Sequence, residues 1–367
     1  MKRSRSRGLA QGSPSRISRR DILVAARRHY ELGDTQASIA ADMGISASYL
    51  ARLLKEAEAA GWIKFIIEAD RETELAAELL HKYPSLVHAE VVADPPDASM
   101  RAKLTPRDLG IAMAAWFNTL LDNDEEGGNP QIWNVAIGGS AAMTQMVERI
   151  LPRPRRVSVG PTSLTPFAGR VERAPAPILA LQLGVKLGAL TPGERNPPAE
   201  DVHGHLYFGA YDVPRGTQRE VERWFDELPN RPGFVDISRF WNDLDVAFVS
   251  AVPLTWRYSD LPERLKAVGA SVEELAGKGG SVLFANRVLN EEGNDVHLSR
   301  GVPSYEPCVP TESLRACGAR HRESGGRRGF VVLEAWGGPG RAAMPALRAG
   351  LANVLFCDAT SAKVLIV

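Results

Sequence analysis

The chain has 367 residues, 44% of them hydrophobic, with 44 basic and 44 acidic side chains. This is enough apolar material for one large core and a small domain, and no apolar run reaches membrane-span length or follows the basic start as a secretory segment. The expectation is a cytoplasmic protein with no membrane partner. Three cysteines, Cys308, Cys317 and Cys357, are an odd number spaced too widely for a zinc or redox pair, so they read as plain thiols.

The balanced total hides an asymmetry. The first twenty residues hold seven basic side chains (Lys2, Arg3, Arg5, Arg7, Arg16, Arg19 and Arg20) and no acid, so the remainder carries 37 basic against 44 acidic residues. Residues 1–17, with Gly8, Gly12, Pro14 and several serines, read as a disordered basic arm. Such an arm fits either a polyanionic partner or a solubilising tail.

Between Asp21 and Glu68 the spacing predicts three short helices. Ser18 and Asp21 open the first, whose apolar stripe is Leu23, Ala26 and Tyr30 with Ile22 and Ala25 beside them, and Gly33 ends it. Thr35 caps a second helix that buries Ile39, Ala40 and Met43, and Gly44 supplies the left-handed turn. Ser46 caps a third helix in which Leu50, Leu53, Leu54 and Ala57 fall at i, i+3, i+4 and i+7. That leaves Ala47, Ser48, Tyr49, Arg52 and Lys55 outward. Two short helices around a glycine turn, followed by a third with this polar face, form a helix-turn-helix whose third helix can enter a major groove. The DNA-facing set is Thr35, Gln36, Ser46, Ala47, Ser48, Tyr49, Arg52 and Lys55, with Arg52 suited equally to a guanine edge and to a phosphate. The alternating run Trp62–Ile67 fits a wing or a first linker strand.

HYELGDTQASIAADMGISASYLARLLKEAEAAGWIKFII, residues 29–67, resembles the N-terminal domain of the SorC family of sugar-responsive bacterial transcription regulators. The match runs through Tyr30, Gly33, Gln36, Ile39, Ala40, Gly44, Ile45, Ser46, Arg52, Leu53, Leu54, Ala57 and Gly61. It departs at Ala47, Ser48, Tyr49 and Ala51, positions that would read sequence, so no relative's operator carries over.

Further along, Leu75, Ala76, Leu79 and Leu80 make a helical stripe within residues 71–84, read as a linker helix or part of a dimer seam. A strand at Val87–Ala93 and a helix at Pro106–Leu121 precede a polar loop, Asp122–Pro130. Strands then fall at Ile132–Ile137, Val157–Val159, Leu206–Phe208, Val246–Val249, Ser281–Ala285, Phe330–Leu333 and Val354–Cys357. Helices lie near Ala141–Ile150, Arg219–Glu227 and Met344–Leu351, and the segment from Pro175 to Asp201 gives no clear pattern. The alternation implies an α/β domain over residues 85–367, built on a mostly parallel sheet covered on both faces.

NVAIGGSAAMTQMVERI and the C-terminal FVVLEAWGGPGRAAMPALRAGLANVLFCDATSAKVLIV resemble the first sheet strand and the end of the SorC sugar-binding domain. The resemblance implies a winged helix-turn-helix at residues 18–70 followed by a fold akin to glucosamine-phosphate isomerase and ribose-phosphate isomerase, used to sense a ligand. It implies three kinds of partner: double-stranded operator DNA, a sugar or sugar phosphate effector, and further copies in a homodimer or homotetramer. No cofactor, metal or catalysis is expected.

Glycine loops at strand ends are where such sheets gather ligands. The candidates are Gly138, Gly139, Ser140 and Ala141 after one strand, Gly160, Thr162 and Ser163 after another, Ser250, and Gly337, Gly338 and Arg341 near the end. The family's Trp-Gly-Arg-Thr is replaced by Gly139-Ser140-Ala141-Ala142, its lysine falls on Pro339 with Arg341 the nearest cation, and Gly293–Leu298 matches a third motif poorly. The pocket has changed its ligand or lost it. Lys186, Arg170 and Arg173 could pair an anion or be solvated, Asp245 and Asp358 read as caps, and His203 and His205 share a face without a third metal ligand. An isomerase or sugar-phosphate hydrolase with an appended helical domain is the alternative reading, with Glu334 and Asp358 at strand ends as its acids. A third reading is an effector-independent DNA-binding protein.

Overall fold

The computed structural model describes residues 17–30, 32–63, 70–126, 132–164, 174–189, 216–255, 261–298, 307–337 and 340–367. The chain divides into two compact units, residues 1–67 and 68–367.

The small unit holds α1 (Arg19–Tyr30), α2 (Gln36–Asp42) and α3 (Ala47–Ala59). Ile22, Ala25 and Ala26 of α1 pack with Ile39 and Ala40 of α2 and with Leu50, Leu53, Leu54 and Ala57 of α3. The expected α1 stripe is corrected in part: Leu23 is half-buried and Tyr30 exposed. The Tyr30 hydroxyl donates instead to Glu58 on α3 at 3.0 Å. Gly33 and Gly44 both have positive φ, +76° and +66°, with nothing near an added Cβ, so conformational freedom alone selects glycine there. The expected wing from Lys64 to Ile67 lies outside the described residues, as do Arg170, Arg173, His203, His205 and the strand Leu206–Phe208.

The large unit contains, in order, α4 (Thr73–Lys82), β1 (His88–Val92), α5 (Arg101–Glu126), β2 (Trp133–Ile137), α6 (Ala141–Arg149), β3 (Val157–Pro161) and α7 (Ala176–Leu187). Then come α8 (Gln218–Glu227), α9 (Pro232–Asn242), β4 (Val246–Pro253), α10 (Leu261–Ala267), α11 (Val272–Gly277), β5 (Val282–Phe284) and β6 (Arg287–Leu289). Last are α12 (Thr311–Glu323), β7 (Phe330–Ala335), α13 (Met344–Arg348), β8 (Val354–Asp358) and α14 (Ala359–Ile366). Six strands pair in parallel in the order β1-β8-β7-β4-β2-β3. Alternation along each strand sends side chains to two helical layers. Phe330 and Val332 of β7 join a core with α5, α6 and α7, while Val331, Leu333 and Ala335 join one with α4, α9, α12, α13 and α14.

Several sequence expectations change. Ser281–Ala285 is no parallel core strand: β5 pairs antiparallel with β4 and β6, and Ala285 and Asn286, at φ +48° and +64°, form the two-residue turn between its arms. The polar run Asp122–Glu126 continues α5, because Arg153 and Arg155 bind Asp122 and the Trp133 indole donates to Asp124 at 2.8 Å. The helix read over 344–351 ends at Arg348. The helix predicted over 71–84 buries Leu79 in the core of the large unit, and its end is tied to α14 by the Tyr83 hydroxyl on the Leu365 carbonyl and by Lys82 on Ile366. All three cysteines are buried, and burial pushes the Cys317 and Cys357 thiols upward. Among the described residues no helix is long and apolar enough to cross a membrane.

Candidate functional site

On the small unit, Thr35 accepts the Ser38 amide and Ser46 the Tyr49 amide, each at 3.2 Å, so both caps form as the residue types predict. Ala47, Ser48, Arg52 and Lys55 are exposed and Tyr49 half-buried along one side of α3. The Arg52 guanidinium lies 5.0 Å from the Tyr49 ring centroid and 3.8 Å from Glu56, with two-thirds of its side chain in water. An ion pair that exposed is worth under about 1 kcal/mol, so little opposes a new partner for Arg52.

Gln36 differs from the rest of the set. Its side chain turns inward to the His29 ring nitrogen at 3.1 Å, and the other ring nitrogen bonds the Asp34 carbonyl at 2.9 Å. Beside it, Arg28 binds Asp34 at 2.7 Å and Asp42 at 2.8 Å, which holds its pKa above the usual arginine value. Sequence reasoning missed this clamp, because separations of six and fourteen residues match no helical spacing.

On the large unit, the connection from β2 runs to β3 on one side and that from β4 to β7 on the other, so the ends of β2 and β4 flank a topological switch point. Gly138, Ser140, Thr162 and Ser250 gather there. Gly160 lies beneath, where an added Cβ would stand 2.6 Å from the Phe240 ring. The polar groups of this corner are engaged internally. Gly138 N–H donates to the Phe248 carbonyl at 2.9 Å and Thr162 N–H to that of Ile137 at 3.0 Å. Ser140 Oγ accepts the Met143 amide at 3.0 Å and donates to the buried Glu334, whose other oxygen accepts the Trp336 indole N–H at 2.6 Å. The segment from Ala174 to Ala176 lies close over Gly139.

Other candidates lie apart from this corner. Ser163 is buried in a bridge with Cys308, and Gly338 falls outside the described residues. Arg341 lines a groove of about 710 Å³ with Lys82, Arg348 and Lys363, on the side of α4, α13 and α14. Lys186 donates to the carbonyls of Val147, Glu148 and Ile150, closing the C-terminus of α6. Asp245 holds Arg328 at 3.1 Å and the Asn134 amide at 2.9 Å at the start of β4. Asp358 caps α14 through the Ser361 amide at 2.9 Å and also accepts the Gly337 amide at 3.2 Å. The two acids of the enzymatic alternative, Glu334 and Asp358, thus both serve as hydrogen-bond acceptors within the chain. Among the described residues, no group of three His, Cys, Asp or Glu side chains is placed to hold a metal.

Neither a family model nor a curated protein matches this sequence. Solved structures do. A DeoR family transcriptional regulator from Listeria monocytogenes aligns at 15% identity and TM-score 0.58, covering 80% of this chain and 98% of that one. A transcriptional regulator from Streptococcus pneumoniae aligns at 16% identity and TM-score 0.59, covering 80% and 96%. The full-length sorbitol operon regulator SorC from Klebsiella pneumoniae aligns at 19% identity and TM-score 0.65, covering 95% of this chain and 98% of its own. Over nearly its whole length the chain therefore shares the fold of SorC-type transcription regulators.

Proposed function

We propose that this chain is a transcription regulator in which α3 reads operator DNA and the large unit tunes that binding through a small metabolite. The observation that carries the reading is the division of α3 into a buried apolar row and an exposed row of Ser48, Arg52 and Lys55 with Tyr49 between them, on a chain whose fold matches a sorbitol operon regulator. Ser48, Tyr49 and Arg52 would meet base edges, while Lys55 and the hydroxyls of Thr35 and Ser46 would hold phosphates. Residues 1–16, outside the described set, would add phosphate contacts through Lys2, Arg3, Arg5, Arg7 and Arg16.

Paired copies would present two such helices to a two-fold operator, and a ligand bound better by one arrangement would shift the population between arrangements. The regulator reading is favoured over the enzymatic one by Glu334 and Asp358, both already engaged as hydrogen-bond acceptors. Fluorescence anisotropy of the full chain on DNA from upstream of its own gene tests the proposal. Binding there should exceed binding to a shuffled fragment by about a thousandfold or more at physiological salt. Equal affinity for the two would remove the regulator reading.

A further inference from the structure

The groove of about 710 Å³ beside α4, α13 and α14 is walled by four cations, Lys82, Arg341, Arg348 and Lys363. They come from four separate segments that packing fixes against one another. The Tyr83 hydroxyl donates to the Leu365 carbonyl at 3.0 Å and Lys82 to that of Ile366 at 2.7 Å, which ties the end of α4 to the end of α14. The turn Gly340–Ala342 lies so close to α14 that a Cβ on Gly340 would stand 2.5 Å from the Ser361 carbonyl oxygen. The segment carrying Glu291 is held against α13 in the same way, since a Cβ on Gly293 would stand 2.7 Å from the Pro345 carbonyl oxygen. Among the described residues of the lining, Glu291 is the one acidic side chain. Helix ends account for only one of the four cations: Lys82 satisfies an open carbonyl of α14. Arg348 and Lys363 also stand in last turns, yet among the described residues neither donates a side-chain hydrogen bond or pairs with a carboxylate, and Arg341 does neither. The chain beyond residue 20 is acidic on balance, so four exposed cations around one acid reverse the local charge. Their mutual repulsion is relieved when an anion joins them.

We propose that this groove binds a small di- or tricarboxylate, its carboxylates held among the cations and its carbon chain lying on the buried Val282, Ala342 and Pro345. An arginine fork takes a carboxylate through two parallel hydrogen bonds, and the volume is that of a site for a metabolite rather than for a single inorganic anion. A sugar phosphate fits less well. Among the described residues of the lining, Ser281 is the one neutral polar side chain, and its hydroxyl already donates to the Leu289 carbonyl at 3.2 Å. The hydroxyls of a sugar would therefore compete with the phosphate for the cations or lie unpaired on apolar surface. The inference rests on the reading of the large unit as a metabolite sensor, and it locates the ligand away from the internally engaged corner at Gly138, Ser140 and Thr162.

The test uses the full chain in titration calorimetry and thermal melting at fixed ionic strength. Succinate, 2-oxoglutarate and citrate are the probes, with glucose 6-phosphate and inorganic phosphate as counter-probes. At least one carboxylate should bind more tightly than either phosphate compound and raise the melting temperature. The double variant Arg348→Gln, Lys363→Gln should weaken that binding about tenfold or more, as expected for two lost charge-assisted contacts, and Arg341→Gln, on a separate segment, should weaken it in the same direction. Ligand-free melting should stay as in the parent, because all three side chains are exposed, which separates lost binding from lost folding. A control pair, Arg322→Gln and Arg327→Gln, removes two exposed cations outside the groove and should leave binding intact. The inference is overturned if no carboxylate binds, if a phosphate compound binds more tightly, if the groove variants bind as the parent does, or if the control pair loses as much affinity as they do. Operator affinity measured on the same samples stands apart from these outcomes. Intact DNA binding without carboxylate binding removes this site alone, and absent DNA binding removes the regulator reading while the titrations still decide the groove.

Discussion

The exposed side of α3 and the carboxyl edge of the sheet use polar residues in opposite ways. Along α3, side chains that fold the unit point inward and the chemistry points to water: Leu50 and Leu54 are buried, and Arg52 lies over the Tyr49 ring in the open. At the sheet edge the polar groups turn toward one another, Ser140 to Glu334, Glu334 to Trp336 and Asp358 to the Gly337 amide. Substitutions on the first surface should therefore change binding with little effect on stability, and those inside the second should do the reverse.

The largest effect expected from this contrast is on the large unit. Asp245→Ala removes the nearer carboxylate of the mostly buried Arg328, leaving only Asp124 at 3.8 Å, and strips the Asn134 amide of its acceptor, and should cost about 3 kcal/mol in urea unfolding. A loss below about 1 kcal/mol would mean the pair is solvated. Gly160→Val should follow at about 1–3 kcal/mol, because the new side chain meets the Phe240 ring. Full stability in this variant would show that α9 can retreat. On the small unit, Ser46→Ala removes the α3 cap and should cost about 1 kcal/mol, enough to lower the melting temperature of that unit but not of the other. Smallest is deletion of residues 1–16. It should leave both melting temperatures in place and lower the salt slope of DNA binding by about 0.9 for each lost phosphate contact, and an unchanged slope would make the arm a bystander.

How much of this was legible in the sequence follows from the range of the interactions. The caps at Thr35 and Ser46, the turn at Gly44 and the row from Leu50 to Ala57 are local, and all form where the spacing puts them. The parallel strands were legible as well, as short apolar runs separated by helical stretches. The helix α7 was not, since it is apolar on nearly every side and shows no amphipathic period. Nor was the β5–β6 hairpin, whose turn consists of Ala285 and Asn286 rather than a glycine pair. Gly138 to Ser140 follow β2 as read, whereas Gly160 and Ser250 lie within β3 and β4, which run further than their apolar stretches suggest. The Ser140–Glu334 bond joins residues 194 positions apart, so its internal engagement has no sequence signature. The same holds for Lys186, which its sequence context could not distinguish from a ligand-facing cation.

The central claim is that the outward row of α3 reads bases, and Arg52→Ala tests it most directly. Anisotropy with the operator fragment and a shuffled fragment, on parent and variant at equal salt, should show specific affinity falling about 10- to 100-fold, as expected for a lost base contact, with non-specific affinity and melting temperature nearly unchanged. An equal fall on both fragments would assign Arg52 to a phosphate, and unchanged affinity on both would contradict the assignment of this face to DNA.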